Sequence, residues 1–211
     1  MRGILITFEG IDFCGKSVQI DRLIARLEAY QIPYILLREP GGTVIAEKIR
    51  DTLLTKEKEV MSPITEYLLY SAARAQLVRE KIIPSLERGL LVICDRYYDS
   101  STAYQGYGRD IDLNIVHQIN NFATNGIKPK LTFFIDIEID EMERRKKQVD
   151  QKLDRMEDQK RTFFEKVRSG YLKIVEQESE RFYTIDGKRT IDSIADEIWK
   201  QIEQIIMNIE C

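Results

Sequence analysis

The sequence is poor in the residues on which several common kinds of site depend. It has one histidine, His117, so a multi-histidine metal site is excluded and a Ser-His-Asp hydrolase would rest on that residue alone. Its three cysteines, at positions 14, 94 and 211, are odd in number and far apart. This spacing argues against a disulfide framework and predicts a reducing compartment, the cytoplasm.

Long apolar runs and a basic surplus are also lacking. No apolar stretch is long enough to span a bilayer, and the first residues lead directly into a strand-like segment rather than a signal peptide. The net charge of -3 argues against broad nucleic-acid binding. We therefore expect neither a membrane nor a nucleic acid as a partner. The 211 residues, 43% of them hydrophobic, predict a single globular domain over positions 1–211.

Short apolar runs alternate with helical patterns along the chain. Apolar residues at i, i+3, i+4 and i+7 predict helices after residue 16, over residues 67–86 and from residue 191 onward. The short runs, rich in β-branched residues, predict buried strands at 4–8, 34–37, 90–94, 131–135 and 182–185. This alternation predicts right-handed crossovers and a parallel sheet in a three-layer α/β fold.

Residues 10–17 match the phosphate-binding pattern G-x-x-x-x-G-K-[ST], between a predicted strand and a predicted helix. In such a loop, backbone N–H groups and the helix N-terminus surround the phosphates, the lysine reaches the β- and γ-phosphates, and the hydroxyl binds magnesium. Cys14 is open to two interpretations: a reactive thiol whose alkylation blocks ATP binding, or a small buried filler. We predict that ATP, with Mg²⁺, contacts Gly10, Ile11, Asp12, Phe13, Cys14, Gly15, Lys16, Ser17 and Val18.

Charged residues follow three of the predicted strands, at ends that a parallel sheet brings to one edge. Asp95 ends a buried run, as expected of a carboxylate that binds magnesium together with Ser17. Arg38 and Arg96 are suited to a second phosphate group, although a structural salt bridge between Arg96 and Glu39 is an alternative. Two arginines beside an ATP site indicate a nucleoside monophosphate kinase.

Seven segments make the chain resemble bacterial thymidylate kinases over essentially its whole length. The most specific are Arg-Glu-Pro-Gly-Gly-Thr at 38–43 and Ala-Tyr-Gln-Gly at 103–106; the others lie at 8–12, 69–74, 95–97, 153–155 and 167–172. The resemblance implies a P-loop kinase fold with a five-stranded parallel sheet, flanking helices and a mobile lid over about residues 142–161. It also implies phosphorylation of dTMP by ATP and a homodimer.

The resemblance assigns the acceptor side residue by residue. Tyr70 corresponds to the aromatic ring that stacks on thymine, and Arg74 to the donor to its O4 oxygen. Tyr104 corresponds to the residue against the 2′ carbon of the sugar. The remaining assignments are polar contacts with the base and the nearby phosphate region for Ser101 and Gln105, proximity to the 3′-hydroxyl for Asp12, and the acceptor phosphate for Arg38 and Arg96.

The family places a catalytic arginine either in the P-loop or in the lid. Phe13 occupies the P-loop position, so the resemblance implies that the lid supplies the charge, from Arg144, Arg145, Lys146, Lys147, Lys152 or Arg155. We predict Arg144 and Arg155 to be catalytic, together with Asp12, Lys16 and Arg96. Phe13, and Val18 where relatives have threonine, imply adjusted nucleotide binding. The alternatives are a related kinase acting on another nucleotide or a deoxynucleoside, and a non-catalytic ATP-binding module.

Overall fold

The computed structural model describes residues 3–57, 60–150 and 152–210. Within them one sheet has five parallel strands in the order β2-β3-β1-β4-β5. The predicted parallel α/β fold is therefore confirmed, and strand bounds differ from the predicted runs mainly by polar residues at the carboxyl ends. The strands are β1 Ile4–Glu9, β2 Tyr34–Arg38, β3 Leu91–Asp95, β4 Leu131–Asp136 and β5 Phe182–Asp186.

Helices cover both faces of this sheet, which explains why its strands are apolar throughout. One face packs Ile6 and Phe133 against Leu23 and Ile198, and the other packs Leu5 against a cluster that includes Leu77. The helices are α1 Lys16–Ala29, α2 Val44–Leu54, α3 Pro63–Leu77, α4 Ile83–Glu87, α5 Tyr98–Ser101, α6 Leu113–Thr124, α7 Ile139–Lys146, α8 Arg161–Gln177 and α9 Ile191–Glu210.

The single helix predicted over 67–86 is wrong in its start and its continuity. Helix α3 begins earlier, because the Ser62 hydroxyl accepts a hydrogen bond from the Thr65 N–H and Pro63 suits the first turn. A π-helical turn, Val78–Ile82, then separates α3 from α4. Pro84 has no N–H to donate to a carbonyl one turn earlier, which accounts for the irregular geometry before it.

A second π-helical segment, Thr102–Tyr107, continues α5 and carries two predicted substrate residues, Tyr104 and Gln105. Its wider turn holds residues 102–106 buried against the centre of the protein. The predicted lid, 142–161, comprises the end of α7, the connection to α8 and the first residue of α8. None of the described helices is long and apolar enough to cross a membrane.

Candidate active site

The phosphate-binding loop connects β1 to α1 at the carboxyl edge of the sheet. Gly10 has φ 143°, and a Cβ there would lie 2.5 Å from the Ile135 carbonyl oxygen, so the loop requires glycine at this position. Gly15 has φ 101° and precedes the first turn of α1. Lys16 is buried and donates from Nζ to the carbonyl oxygens of Gly10 and Ile11, each at 3.1 Å. The loop thus curls around its own lysine.

Three loop residues that depart from common patterns have different surroundings. Phe13 adopts φ 63°, a strained value for a residue with a bulky side chain, and packs partly against the core. Val18 is 43% exposed on α1. Cys14 is buried in an apolar cluster with Ile11 and Tyr104, in agreement with its interpretation as a small filler.

Asp95 and Ser17 are the residues that we assigned to magnesium. Asp95 ends β3 beside Phe8 of β1, and its Oδ1 is buried without a hydrogen-bond partner among the described residues. Ser17 is exposed at the start of α1. An orphaned carboxylate oxygen near the loop fits a hard cation. The described residues contain no group of three or more acidic, cysteine or histidine residues suited to a metal. A protein hydroxyl, a carboxylate and phosphate oxygens form the usual set in P-loop enzymes.

A cavity of about 160 Å³ opens beside the loop and brings together most of the predicted substrate residues. Arg38 is not among its described lining residues. Of the predicted set, the cavity is lined by Asp12, Tyr70, Arg74, Arg96, Ser101, Tyr104 and Gln105. Further lining residues were not predicted from the sequence, namely Glu39, Pro40, Arg50, Leu54, Ser100, Asp154, Met156 and Glu157.

Asp12, Arg96 and Tyr104 form a connected group between the loop and the cavity. Arg96 has φ 70°, and its Nη2 donates to Asp12 Oδ1 at 2.5 Å. Its Nη1 donates to the Gly10 carbonyl oxygen at 2.9 Å. Burial raises the pKa of Tyr104, so its neutral phenol donates to Asp12 Oδ2 at 2.9 Å. The alternative pairing of Arg96 with Glu39 is wrong, because Arg96 pairs with Asp12 instead.

A buried ion pair between Glu39 and Arg74 forms the far wall of the cavity. Arg74 Nε donates to Glu39 Oε2 at 2.7 Å, and both side chains are at most 4% exposed. Burial raises the pKa of Glu39, and the guanidinium of Arg74 opposes that shift. Arg74 also donates to Asn120 Oδ1 and to the Tyr97 carbonyl oxygen, which leaves two of its five N–H groups for a ligand.

Arg38 and Arg50 lie close enough to interact electrostatically, and of the two Arg50 lines the cavity. Arg38 is paired with Glu47 at 2.8 Å, and both side chains are more than 40% exposed. Arg50 lines the cavity and donates to the Pro40 carbonyl oxygen at 2.9 Å. Burial and the positive charge of Arg38 both lower the pKa of Arg50. The only sequence signal for Arg50 is its place two turns into the helix that follows residues 38–43.

Glu9 lies behind Arg96 and is a further residue that was not predicted from the sequence. Its buried carboxylate accepts hydrogen bonds from the Tyr97 N–H, the Ser100 hydroxyl and the Tyr171 hydroxyl, at 2.6–2.8 Å. Arg96 Nη1 contacts the same two hydroxyl groups. Burial and the negative charge of Asp99 raise the pKa of Glu9 to about 7. The sequence signal that could have identified Glu9 is its position as an acidic residue at the end of a strand, directly before the phosphate-binding loop.

The basic residues of the lid occupy different places. Arg145 lies against the phosphate-binding loop, donating from Nη1 to the carbonyl oxygens of Phe13 and Cys14. Arg144 lies outside, with its side chain 58% exposed and paired with Glu141. Arg155 is largely buried and pairs with Glu66 of α3. Of the others, Lys146 donates to the Glu157 carbonyl oxygen, and Lys147 and Lys152 are exposed.

The loop and the cavity meet at Asp12 and Arg96, so phosphates held by the two sites would face each other across this pair. A glycine-rich loop on the carboxyl edge of a parallel sheet, joined in this way to a second polar cleft, defines a P-loop phosphotransferase.

Comparison with known proteins identifies the family to which this phosphotransferase belongs. The family model described as thymidylate kinase matches residues 8–198. The chain is 44% identical over 206 residues to the thymidylate kinase of Caldanaerobacter subterraneus subsp. tengcongensis, covering 98% of each chain. It is 46% identical over 199 residues to that of Thermoanaerobacter sp., covering 94% of this chain and 96% of the relative. The chain belongs to the thymidylate kinase family.

A solved structure supports the same assignment. The thymidylate kinase of Ehrlichia chaffeensis superposes with a TM-score of 0.78 at 30% sequence identity. The match covers 96% of this chain and all of the Ehrlichia chain. The shared fold therefore extends over nearly the whole chain.

Proposed function

We propose that this protein transfers the γ-phosphoryl group of ATP to dTMP, giving ADP and dTDP. The observation that carries the proposal is the junction at Asp12 and Arg96, where the phosphate-binding loop meets a cavity with aromatic and arginine side chains. Membership of the thymidylate kinase family selects the acceptor. The two alternatives, a kinase for another acceptor and a non-catalytic module, have no comparable support.

On the donor side, the loop backbone and Lys16 bind the ATP phosphates. Lys16 already contacts two loop carbonyl oxygens, so its ammonium group is held where the phosphates enter the loop. Magnesium, held by Ser17, Asp95 and the phosphates, would neutralise charge on the β- and γ-phosphates. Positioning and electrostatic stabilisation supply the catalysis, and no protein nucleophile is required.

On the acceptor side, the cavity suits a thymine nucleotide. Tyr70 and Arg74 line the end where the base would lie, and Arg74 has N–H groups left for the O4 oxygen. Cytosine has an amino group at that position, so two donors would face each other and the base would be rejected. Arg50 and Arg96 line the cavity with positive charge for the acceptor phosphate, with Arg38 beside Arg50.

Within the lid, we propose Arg145 as the residue that brings positive charge to the donor phosphates. Its guanidinium contacts the carbonyl oxygens of residues 13 and 14, and a Cβ on Gly15 would lie 3.6 Å from its Nη1. Arg144 is directed to solvent beside Glu141, and Arg155 pairs with Glu66. Arg145 is thus the lid arginine nearest to the loop.

We also propose a homodimer and a cytoplasmic location. Helices α3 and α6 pack together and leave a row of large apolar side chains in solvent, which suits a helix-to-helix interface. The two described cysteines, Cys14 and Cys94, are both free, as expected in a reducing compartment. The exposed apolar side chains on the two helices are Ile64, Leu68, Ile115 and Phe122.

The test is a coupled ADP-release assay with ATP, magnesium and a panel of dTMP, dUMP, dCMP, dGMP, AMP and thymidine. We expect turnover with dTMP well above that with every other compound. Activity on thymidine alone would contradict a phosphate-bearing acceptor, and preference for a different monophosphate would contradict the base pocket. No turnover in a sample that binds ATP would favour the non-catalytic module.

A further inference from the structure

Glu66 is a buried carboxylate on α3 that none of the roles above uses. Its side chain is 1% exposed. Its Oε1 accepts hydrogen bonds from Gln105 Nε2 at 2.9 Å and from Arg109 Nε at 3.2 Å. Its Oε2 accepts from Arg109 Nη2 at 3.1 Å and from Arg155 Nη1 at 2.6 Å. Glu66 therefore joins a cavity-lining residue, Gln105, to a residue of the lid, Arg155.

Arg155 is the anchor of the lid on this side. Its Nε donates to the Leu53 carbonyl oxygen at 2.6 Å, and its backbone N–H donates to the Leu54 carbonyl oxygen at 3.1 Å. Its neighbours in sequence, Asp154 and Met156, line the cavity. The same segment of the lid thus contacts Glu66 and forms part of the acceptor site.

The charges explain why this junction depends on Glu66. Two guanidinium groups share one carboxylate in a largely buried place, and burial alone would raise the pKa of Glu66. The hydrogen bonds from Arg109, Gln105 and Arg155 outweigh burial and leave that pKa below its usual value. Without the carboxylate, two buried cations would face each other, and the lid segment would no longer be held on α3.

We propose that Glu66 is a positioning residue that couples dTMP binding to closure of the lid through its ion pair with Arg155. This inference rests on the proposed function. Gln105 at the cavity and Arg155 in the lid bind the same carboxylate, so a ligand that orders one orders the other. Closure over ATP and occupation of the acceptor site then favour each other thermodynamically.

A nearby ion pair supplies a matched control. Lys56 Nζ contacts Asp158 Oδ2 at 2.7 Å and also ties the lid to the rest of the chain, at the residues that follow α2 rather than at α3. Both side chains are at least 36% exposed, and Asp158 does not line the cavity. An exposed pair of this kind contributes little, about 0–1 kcal/mol, to holding the lid.

The experiment measures the dissociation constant of dTMP with and without a non-hydrolysable ATP analogue, adenylyl imidodiphosphate. It compares the wild type, Arg155→Gln and Lys56→Gln. We expect the analogue to tighten dTMP binding in the wild type and in Lys56→Gln by a factor of about 5–150, the usual range of such coupling. In Arg155→Gln we expect that factor to fall to about 1. Arg155→Gln is preferred over Glu66→Gln, which leaves two buried cations unpaired.

Three results would overturn the inference: wild-type coupling in Arg155→Gln, loss of coupling in Lys56→Gln as well, or no coupling in the wild type. A general loss of structure in Arg155→Gln is detected as a lower melting temperature and weaker binding of each nucleotide alone. Failure of the proposed function is a separate result, because it shows as absent dTMP turnover in the wild type before any variant is compared.

Discussion

Replacing Arg74 by methionine should destabilise the protein strongly. Arg74 is 2% exposed and donates hydrogen bonds to Glu39, Asn120 and the Tyr97 carbonyl oxygen. Methionine is unbranched and apolar, with neither charge nor donors, so the Glu39 carboxylate is left buried without its counter-ion. Arg74 bonds Glu39 through Oε2, and Glu39 Oε1 is buried without any hydrogen-bond partner among the described residues.

The magnitude follows from this burial. Removing one partner of a buried ion pair costs about 3–5 kcal/mol, because the remaining charge is uncompensated. A protein of this length loses roughly 2–4 °C in melting temperature for each kcal/mol. We therefore expect Arg74→Met to melt about 6–20 °C below the wild type. Arg22→Met is the control, since its pair with Asp192 is more than half exposed on both sides and contributes less than about 1 kcal/mol.

The assay is thermal and urea unfolding at pH 5.5 and pH 8. Burial raises the pKa of Glu39 in the folded protein, and Arg74 opposes that shift. In the Arg74→Met variant the opposing charge is gone, so burial raises the pKa of Glu39 further. A carboxyl group with a raised folded-state pKa favours folding at low pH and loses that contribution as the pH rises. The destabilisation should thus be larger at pH 8 than at pH 5.5. A melting temperature within 2 °C of Arg22→Met at pH 8 would refute this reasoning (about 1 kcal/mol).

The remaining predictions concern the loop and the carboxylate behind it. Lys16→Ala should lower turnover by about 10²–10³ with an unchanged circular dichroism spectrum; near-normal turnover in the folded variant would contradict the mechanism. Cys14, 2% exposed, should react with N-ethylmaleimide far more slowly in the native protein than in urea, and its alkylation should abolish ATP binding; full labelling that leaves ATP affinity intact would contradict this. The pKa of Glu9 is raised from its usual 4.5 to about 7 in the folded protein. The protonated carboxyl group therefore stabilises the fold fully below pH 4.5, and this contribution is lost as the pH rises through 7. Glu9→Gln, which cannot ionise, should flatten that loss in urea unfolding between pH 5.5 and 8, and an unchanged slope would argue against it.

The fold was predictable because strands buried on both faces leave an unambiguous apolar pattern. The predicted runs and their parallel pairing are confirmed. The single helix predicted over 67–86 is not confirmed. The apolar spacing continues through the π-helical turn Val78–Ile82 and does not mark the change in backbone geometry there. The start of α3 at Ser62 and Pro63 could have been predicted from the sequence, since serine followed by proline is a frequent helix start.

The acceptor cavity was predictable only where a motif marked its residues. Tyr70, Arg74 and Gln105 carry the resemblance and do line the cavity. Arg50 and Glu66 lie on helices outside the recognised motifs, and the packing of α2 against α3, and of α3 against the π-helical segment Thr102–Tyr107, brings them to the site. The roles of neighbouring basic residues such as Arg144 and Arg145 could not be told apart from the sequence, because those roles depend on hydrogen-bond acceptors that are distant in the chain.

Phe13 and Arg145 illustrate that dependence, because the unusual residue of the loop contacts the arginine of the lid. A non-glycine residue at φ 63° costs of order 1–3 kcal/mol and persists only where the surroundings hold it. Arg145 supplies part of that support, since its Nη1 bonds the carbonyl oxygens of residues 13 and 14 while its Nη2 bonds that of Gly187 at 2.7 Å. One guanidinium thus links the loop, the lid and the end of β5. A loop without an arginine of its own is therefore matched by an arginine of α7 held against its backbone.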